Sequence, residues 1–322
     1  MLKRLIPDPF ILLLLGTIAV ASLFPAYGTG LVVASHLSNV AIFSLFFFHG
    51  LRLAHQSVWD GLKHWRLQAA VMAITYAVLP LMGLGFATLG AGWLSPELWL
   101  GVLFLCVLPS TVQAAIASAS MAGGNVAASV IAAALSNLAG VILTPLMFTL
   151  VAHIGGGQID LATVWRIAQL LLLPFILGQI AQRWLAAWAA RHKGWISRLD
   201  KSTIVITVFV TFSAATNEGL WQRLSLPELG RLLVLVIVLL ALAMSFAWWL
   251  GRALSFSTAD RATLLFSGAQ KSLATGAPMA RILFPAAQAG MIVIPLMLYH
   301  QLQLMVSAWL AARLGRDVIN QD

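Results

Sequence analysis

The chain of 322 residues is 61% hydrophobic and 9% charged, with mean hydropathy +0.93. A soluble domain carries about 25% charged residues, so too few remain here to cover a globule's surface, and the protein belongs in a bilayer. Its apolar runs are long and unbroken, which excludes a β-barrel and leaves helices of about 20 residues each, at most about a dozen, with little chain left for a soluble domain.

Residues 3–25, with Lys3 and Arg4 ahead of a Leu-rich stretch, mimic a signal peptide; the duplication described below predicts that they are retained as the first span. Apolar runs between charged or Gly/Pro-rich breaks predict ten spans, near 9–27, 37–55, 67–89, 97–121, 125–152, 161–187, 202–219, 229–251, 261–283 and 286–312. With loops assigned alternately to two sides, 14 basic residues fall on one side and four (Arg166, Arg223, Arg231 and Arg281) on the other. The excess predicts that both termini are cytoplasmic. The net charge of +9 is then an orientation signal, and no nucleic-acid partner is expected. Cys106, the one cysteine, lies in an apolar run and reads as packing, and most of the twelve Trp cluster near span ends as interface anchors.

Five spans per half is an odd number, so a duplicated half would insert upside down relative to its twin. Pro9-Phe10-Ile11-Leu12 opens the first span, and Pro174-Phe175-Ile176-Leu177 lies in the sixth, 165 positions later. The fourth and ninth spans are interrupted by small and polar residues, Leu108-Pro109-Ser110-Thr111-Val112-Gln113 and Ser267-Gly268-Ala269-Gln270-Lys271-Ser272, with Gln113 and Gln270 157 apart. The expected organisation is one transmembrane domain over 1–322, with repeats at 1–152 and 160–315. Interrupted helices in matching places of two inverted halves point to a transporter's binding site, because the breaks free backbone groups to meet an ion or solute.

Lys271 is the most informative residue. An ionisable group at mid-span costs at least about 2.5–3.5 kcal/mol on insertion scales and is a functional candidate by default; its position at the centre of the ninth span argues against a stem that simply snorkels to the interface. Its ammonium is expected either to take the place of a bound cation, held by freed carbonyls with Ser110, Thr111 or Gln113, or to bind an anionic substrate. The carboxylates all fall in loops or at span ends, so any sodium site must use neutral oxygens. Asn125 and Ser129, four apart, share a face toward the fourth-span break, with interhelical packing as the competing reading. Ser272 adjoins Lys271, and His300 with Gln301 and Gln303 forms a polar patch midway along the tenth span, where His300 is a candidate proton carrier. Zinc-protease, nucleophile-elbow and P-loop signatures are missing, so neither an enzyme nor an organic or metal cofactor is expected; sodium or a proton is the candidate coupling ion.

These runs, together with Met121-Ala122-Gly123-Gly124-Asn125-Val126-Ala127, Pro278-Met279-Ala280 and Leu283-Phe284-Pro285, resemble the bile acid:sodium symporter superfamily, and within it the SBF-like branch that includes the solute carrier family 10 member 7 type and its bacterial relatives. The resemblance implies an all-α polytopic membrane protein of ten helices in two inverted five-helix repeats. A panel domain (spans one, two, six and seven) would accompany a core domain in which the broken fourth and ninth spans cross, with substrate between the two and alternating access by their movement. It also implies a bacterial inner-membrane location. Of the sodium ligands in coupled members, Gln113, Ser129 and Gln270 have counterparts here, whereas Phe266 stands in place of a Glu, Lys271 in place of a neutral residue and Ala133 in place of a hydroxyl. The expected function is secondary-active transport of a small organic, anionic solute, with sodium coupling left open by these departures. The alternative is a regulatory or scaffold membrane protein affecting ion homeostasis without moving an organic solute. The lipid bilayer is the other expected partner, and oligomeric state is not legible.

Overall fold

Helix is the only regular structure among the residues described by the computed structural model, which are 9–52, 64–154 and 168–319. The predicted features at Lys3, Arg4 and Arg166, and the opening residues of the sixth span, lie outside the described residues. In chain order the helices are α1 (Pro9–Leu23), α2 (Gly28–Arg52), α3 (Trp65–Leu89), α4 (Pro96–Val107), α5 (Gln113–Met121), α6 (Val126–Ile154), α7 (Leu173–Arg191), α8 (Lys193–Asn217), the short α9 (Leu220–Arg223), α10 (Leu226–Ala253), α11 (Thr258–Ala269), α12 (Leu273–Leu283) and α13 (Ala286–Ile319). Among the described residues, six segments are long and apolar enough to cross a membrane: α2, α3, Val126–Leu150 of α6, α8, α10 and Gln288–Arg316 of α13. Leu12–Leu23 and Pro96–Val107 are shorter apolar helices.

The chain divides into two units. The first holds α1, α2, α7, α8 and α9 together with residues 274–294. Its backbones meet closely where α2 crosses α7. A Cβ added at Gly50 would collide with the carbonyl of Phe175, and one at Gly178 with the carbonyl of Phe47, so each glycine lets the facing backbone approach, as small residues do between membrane helices. The Gln179 amide donates to the Gly50 carbonyl, and that of Gln182 to Leu51 O at 3.2 Å. Hydroxyls join α8 to α2: Thr203 Oγ1 donates to Ala41 O at 3.3 Å, and Ser38 Oγ lies 3.3 Å from Thr207 Oγ1.

The second unit holds α3 to α6, α10, α11 and the chain from 295 onward. Within α3, residues Ile74–Val78 form a π-turn just ahead of Pro80. Proline has no N–H and its ring crowds the carbonyl one turn back, so one extra residue in the turn relieves the clash. Glu228 in the first turn of α10 accepts the backbone N–H of Ser95, the residue capping α4.

Candidate functional site

Two helix breaks form the centre of the second unit. After α4, Leu108 is extended (φ −72°, ψ 154°), and the chain resumes as α5 at Gln113; after α11, Gln270 is extended (φ −79°, ψ 149°), and the chain resumes as α12 at Leu273. The breaks touch each other through backbone, the Ser272 N–H donating to Pro109 O at 2.9 Å. The interruptions predicted in the fourth and ninth spans are therefore breaks in structure as well as in sequence.

An interrupted helix leaves the carbonyls of its last turn without intrahelical partners, and in an apolar interior each needs one. On α11, Tyr299 Oη donates to Ala269 O at 2.6 Å and Thr75 Oγ1 to Gly268 O at 3.4 Å. On α4, Thr144 Oγ1 donates to Val107 O at 2.8 Å. Beyond it, Asn137 Nδ2 donates to Ser110 O at 3.0 Å, and the Ser110 N–H donates to Ser136 Oγ at 2.9 Å.

The remaining carbonyls converge on Lys271. Its ammonium is fully buried and donates to Thr75 O at 2.9 Å, Cys106 O at 2.8 Å and Leu108 O at 2.6 Å. Three N–H donors thus meet three acceptors, and among the described residues no carboxylate pairs with it. Each acceptor is free for a local reason. The Leu79 N–H serves Ile74 O in the π-turn, so the carbonyl after it, Thr75 O, is left facing Pro80, which has no N–H to offer. The Ser110 N–H that would have closed the α4 ladder on Cys106 O goes instead to Ser136. Leu108 lies beyond the helix end. The C-terminal pole of α4 adds a partial negative charge beside the ammonium, and the Tyr76 ring centroid lies 5.9 Å from Nζ.

Gln303 fixes the backbone of Lys271: its Oε1 accepts the Lys271 N–H at 2.7 Å and its Nε2 donates to Lys271 O at 2.8 Å. Because the backbone N–H can only donate, the amide's orientation is set. His300 Nδ1 lies 2.8 Å from Gln303 Nε2 and 3.3 Å from Lys271 O, a donor and an acceptor that ask opposite roles of the ring nitrogen.

The other predicted residues divide. Thr111 Oγ1 donates to Gln270 Oε1 at 2.5 Å, and Gln270 Nε2 donates to Ser307 Oγ at 2.9 Å, all buried. Ser110 is buried, with no partner for its hydroxyl among the described residues, and Ser272 is buried within the break. Neither Ser110, Thr111 nor Gln113 supplies a side-chain oxygen to the ammonium; three backbone carbonyls do so. Gln113 opens α5 with an exposed side chain. Ser129 Oγ lies 3.1 Å from Ser267 Oγ, a partner it does not share with Gln270. Asn125 caps α6, its Oδ1 accepting the Ala128 N–H at 3.0 Å, and ties it to α11 by donating from Nδ2 to Asp260 Oδ1 at 3.0 Å while its carbonyl accepts from Thr263 Oγ1 at 3.0 Å. Thr75 and Gln303 were not among the predicted site residues. Pro80 inside an apolar span was the readable sign of the first, and the polar patch at 300–303 of the second.

A sequence profile of the SBF-like CPA transporter family matches residues 8–316. The chain is 43% identical to the Escherichia coli (strain K12) protein named "Putative symporter YfeH" over 96% of this chain and 93% of that one. It is 44% identical to an uncharacterized protein of Pseudomonas aeruginosa over 97% and 94%, and 23% identical to "Sodium/bile acid cotransporter 7" of Rattus norvegicus over 97% and 96%. With its broken, polar-lined helices and its apolar spans, the chain belongs to the SBF-like CPA transporter family, a family of integral membrane transporters.

Proposed function

We propose that the protein is a secondary-active transporter of a small organic anion, working by alternating access in a bacterial inner membrane with both termini cytoplasmic, and that Lys271 is its built-in cation. One observation carries this reading: a buried ammonium, seated beside Gln270 at the crossing of two helix breaks, uses all three of its protons on backbone carbonyls. Carbonyl oxygens are the ligands a bound alkali cation would need there, since no carboxylate among the described residues is at hand. A tethered ammonium meets the same demand without an ion from solution, so sodium is not required for the break to hold its shape. The alternative role, in which Lys271 grips the substrate directly, would need a free donor, and its three donors are already engaged. An uncompensated positive charge in a low-dielectric interior favours an anionic solute over a cationic one.

The relatives' names suit this reading in part: a symporter in one case, a sodium/bile acid cotransporter in another. The Lys271 geometry supports transport with sodium dispensable. The test is solute counterflow into proteoliposomes loaded with a mixture of bacterial anionic metabolites, read by mass spectrometry in sodium or choline medium. One or more organic anions should exchange at equal rates in both media. Exchange of none, or exchange abolished by choline, refutes the proposal.

A further inference from the structure

The geometry points to Arg281, in the first unit, as the residue that binds the solute's anionic group, an inference that rests on the organic-anion reading above. Sequence alone counts Arg281 among the loop charges that set orientation. In the structure it lies in the last turns of α12, and its guanidinium reaches α2 well inside that helix: Nη2 donates to Ser35 O at 3.2 Å and to Asn39 Oδ1 at 3.4 Å. Ser35 and Asn39 are seven and eleven residues into the 25-residue α2, so the contact is ~10–17 Å along a helix of ~37 Å at ~1.5 Å per residue. The contact thus lies between about a quarter and a half of the way along the span, where an uncompensated Arg is costly and marks function.

The guanidinium is also under-used. Charge-assisted hydrogen bonds run about 2.7–2.9 Å, and both of these are longer and come from one nitrogen. Its Nε is buried with no partner, and among the described residues no carboxylate pairs with it. A structural Arg at this depth would be expected to have a carboxylate or several short carbonyl bonds. Nε itself is closed off from solvent, so a planar anion, the shape guanidinium matches best, would meet the part of the fork that stays accessible on this half-buried residue. Two polar side chains of α2, His36 and Asn39, are exposed and three apart on one face, among the exposed apolar Val32, Val33, Leu37 and Val40. A carboxylate or sulfonate on Arg281 could take a further hydrogen bond from the Asn39 amide.

The test uses the full-length protein in nanodiscs of zwitterionic lipid, with 1-naphthoate and 2-naphthalenesulfonate as anionic probes and 1-naphthamide as the neutral twin. Two readouts are taken: equilibrium binding, and the rate of phenylglyoxal modification of Arg281 mapped by peptide mass spectrometry. Saturable binding of an anion, protection of Arg281 by that anion and not by the amide, and at least a tenfold loss of affinity in Arg281→Gln with partial retention in Arg281→Lys are expected. If Arg281→Gln does not fold, protection in the wild type and the affinity of Arg281→Lys decide. Unchanged anion affinity in Arg281→Gln, or labelling that the anion does not slow, overturns the Arg281 assignment and leaves the transport reading standing. Absence of any anion binding to the wild type removes both. Protection that appears only when phosphatidylglycerol is added assigns the site to a lipid headgroup and overturns the solute assignment.

Discussion

Replacing Lys271 separates its two contributions, a stem that fills space and an ammonium that satisfies three carbonyls. Lys271→Met keeps most of the stem and strips Thr75, Cys106 and Leu108 of their donor. Each bare buried carbonyl costs about 1–3 kcal/mol, or roughly 3–5 kcal/mol together once the surroundings relax. Lys271→Ala makes the same three oxygens bare but opens a space among them that a small cation can enter. A site with tenfold excess of cation over its dissociation constant returns about 1.4 kcal/mol. Thermal unfolding in nanodiscs, at constant ionic strength in sodium or choline chloride, should show both variants well below the wild type in choline. Only Lys271→Ala should recover in sodium. If both variants melt with the wild type, or sodium moves the Met and Ala variants equally, the ammonium does not stand in for a cation.

Four further outcomes follow from the same geometry. Gln303→Leu leaves the buried N–H of Lys271 without a partner and its C=O with only the 3.3 Å contact to His300 Nδ1, and should lower stability by about 2–4 kcal/mol, measured by chemical unfolding in detergent, with Gln303→Glu losing less because its oxygen still accepts the N–H. Pro80→Ala supplies an N–H that can compete with the Lys271 ammonium for Thr75 O; it should alter exchange activity while leaving stability equal or higher, which paired melting and counterflow assays would show. Gly178→Leu drives a side chain into the Phe47 carbonyl and should cost at least about 1–3 kcal/mol, seen as a lower melting temperature, whereas Gly194→Leu, with open space around it, should change little. Asn125→Ala removes the cap of α6 and should cost about 1 kcal/mol without altering anion affinity per folded molecule, as a binding assay corrected for folded fraction would show.

How much of this was legible depends on how local the determinant is. The breaks could be read because Pro109-Ser110-Thr111 and Gly268 to Ser272 interrupt otherwise apolar runs, and Lys271 stood out because a charge in such a run needs a reason. Its partners could not be read. Thr75 lies 196 residues away in sequence and becomes an acceptor only through a π-turn, and Gln303 contributes by orientation, which a polar patch on a helix does not specify. Asn125 is a different case: Gly123-Gly124-Asn125 ahead of a helix is a capping signal, so its part in anchoring α6 to α11 was available from the letters. The contacts of Arg281 with Ser35 and Asn39 could not be read because orientation rules count charges by their position along the chain, and a long side chain at a helix end can reach into a neighbouring helix.

The central claim, that the protein carries its cation covalently, is tested most directly by equilibrium binding of radioactive sodium to the purified wild type and to Lys271→Ala in nanodiscs. The account predicts no saturable sodium binding to the wild type and a saturable site in Lys271→Ala. Saturable binding to the wild type, with the same affinity in the variant, would contradict it.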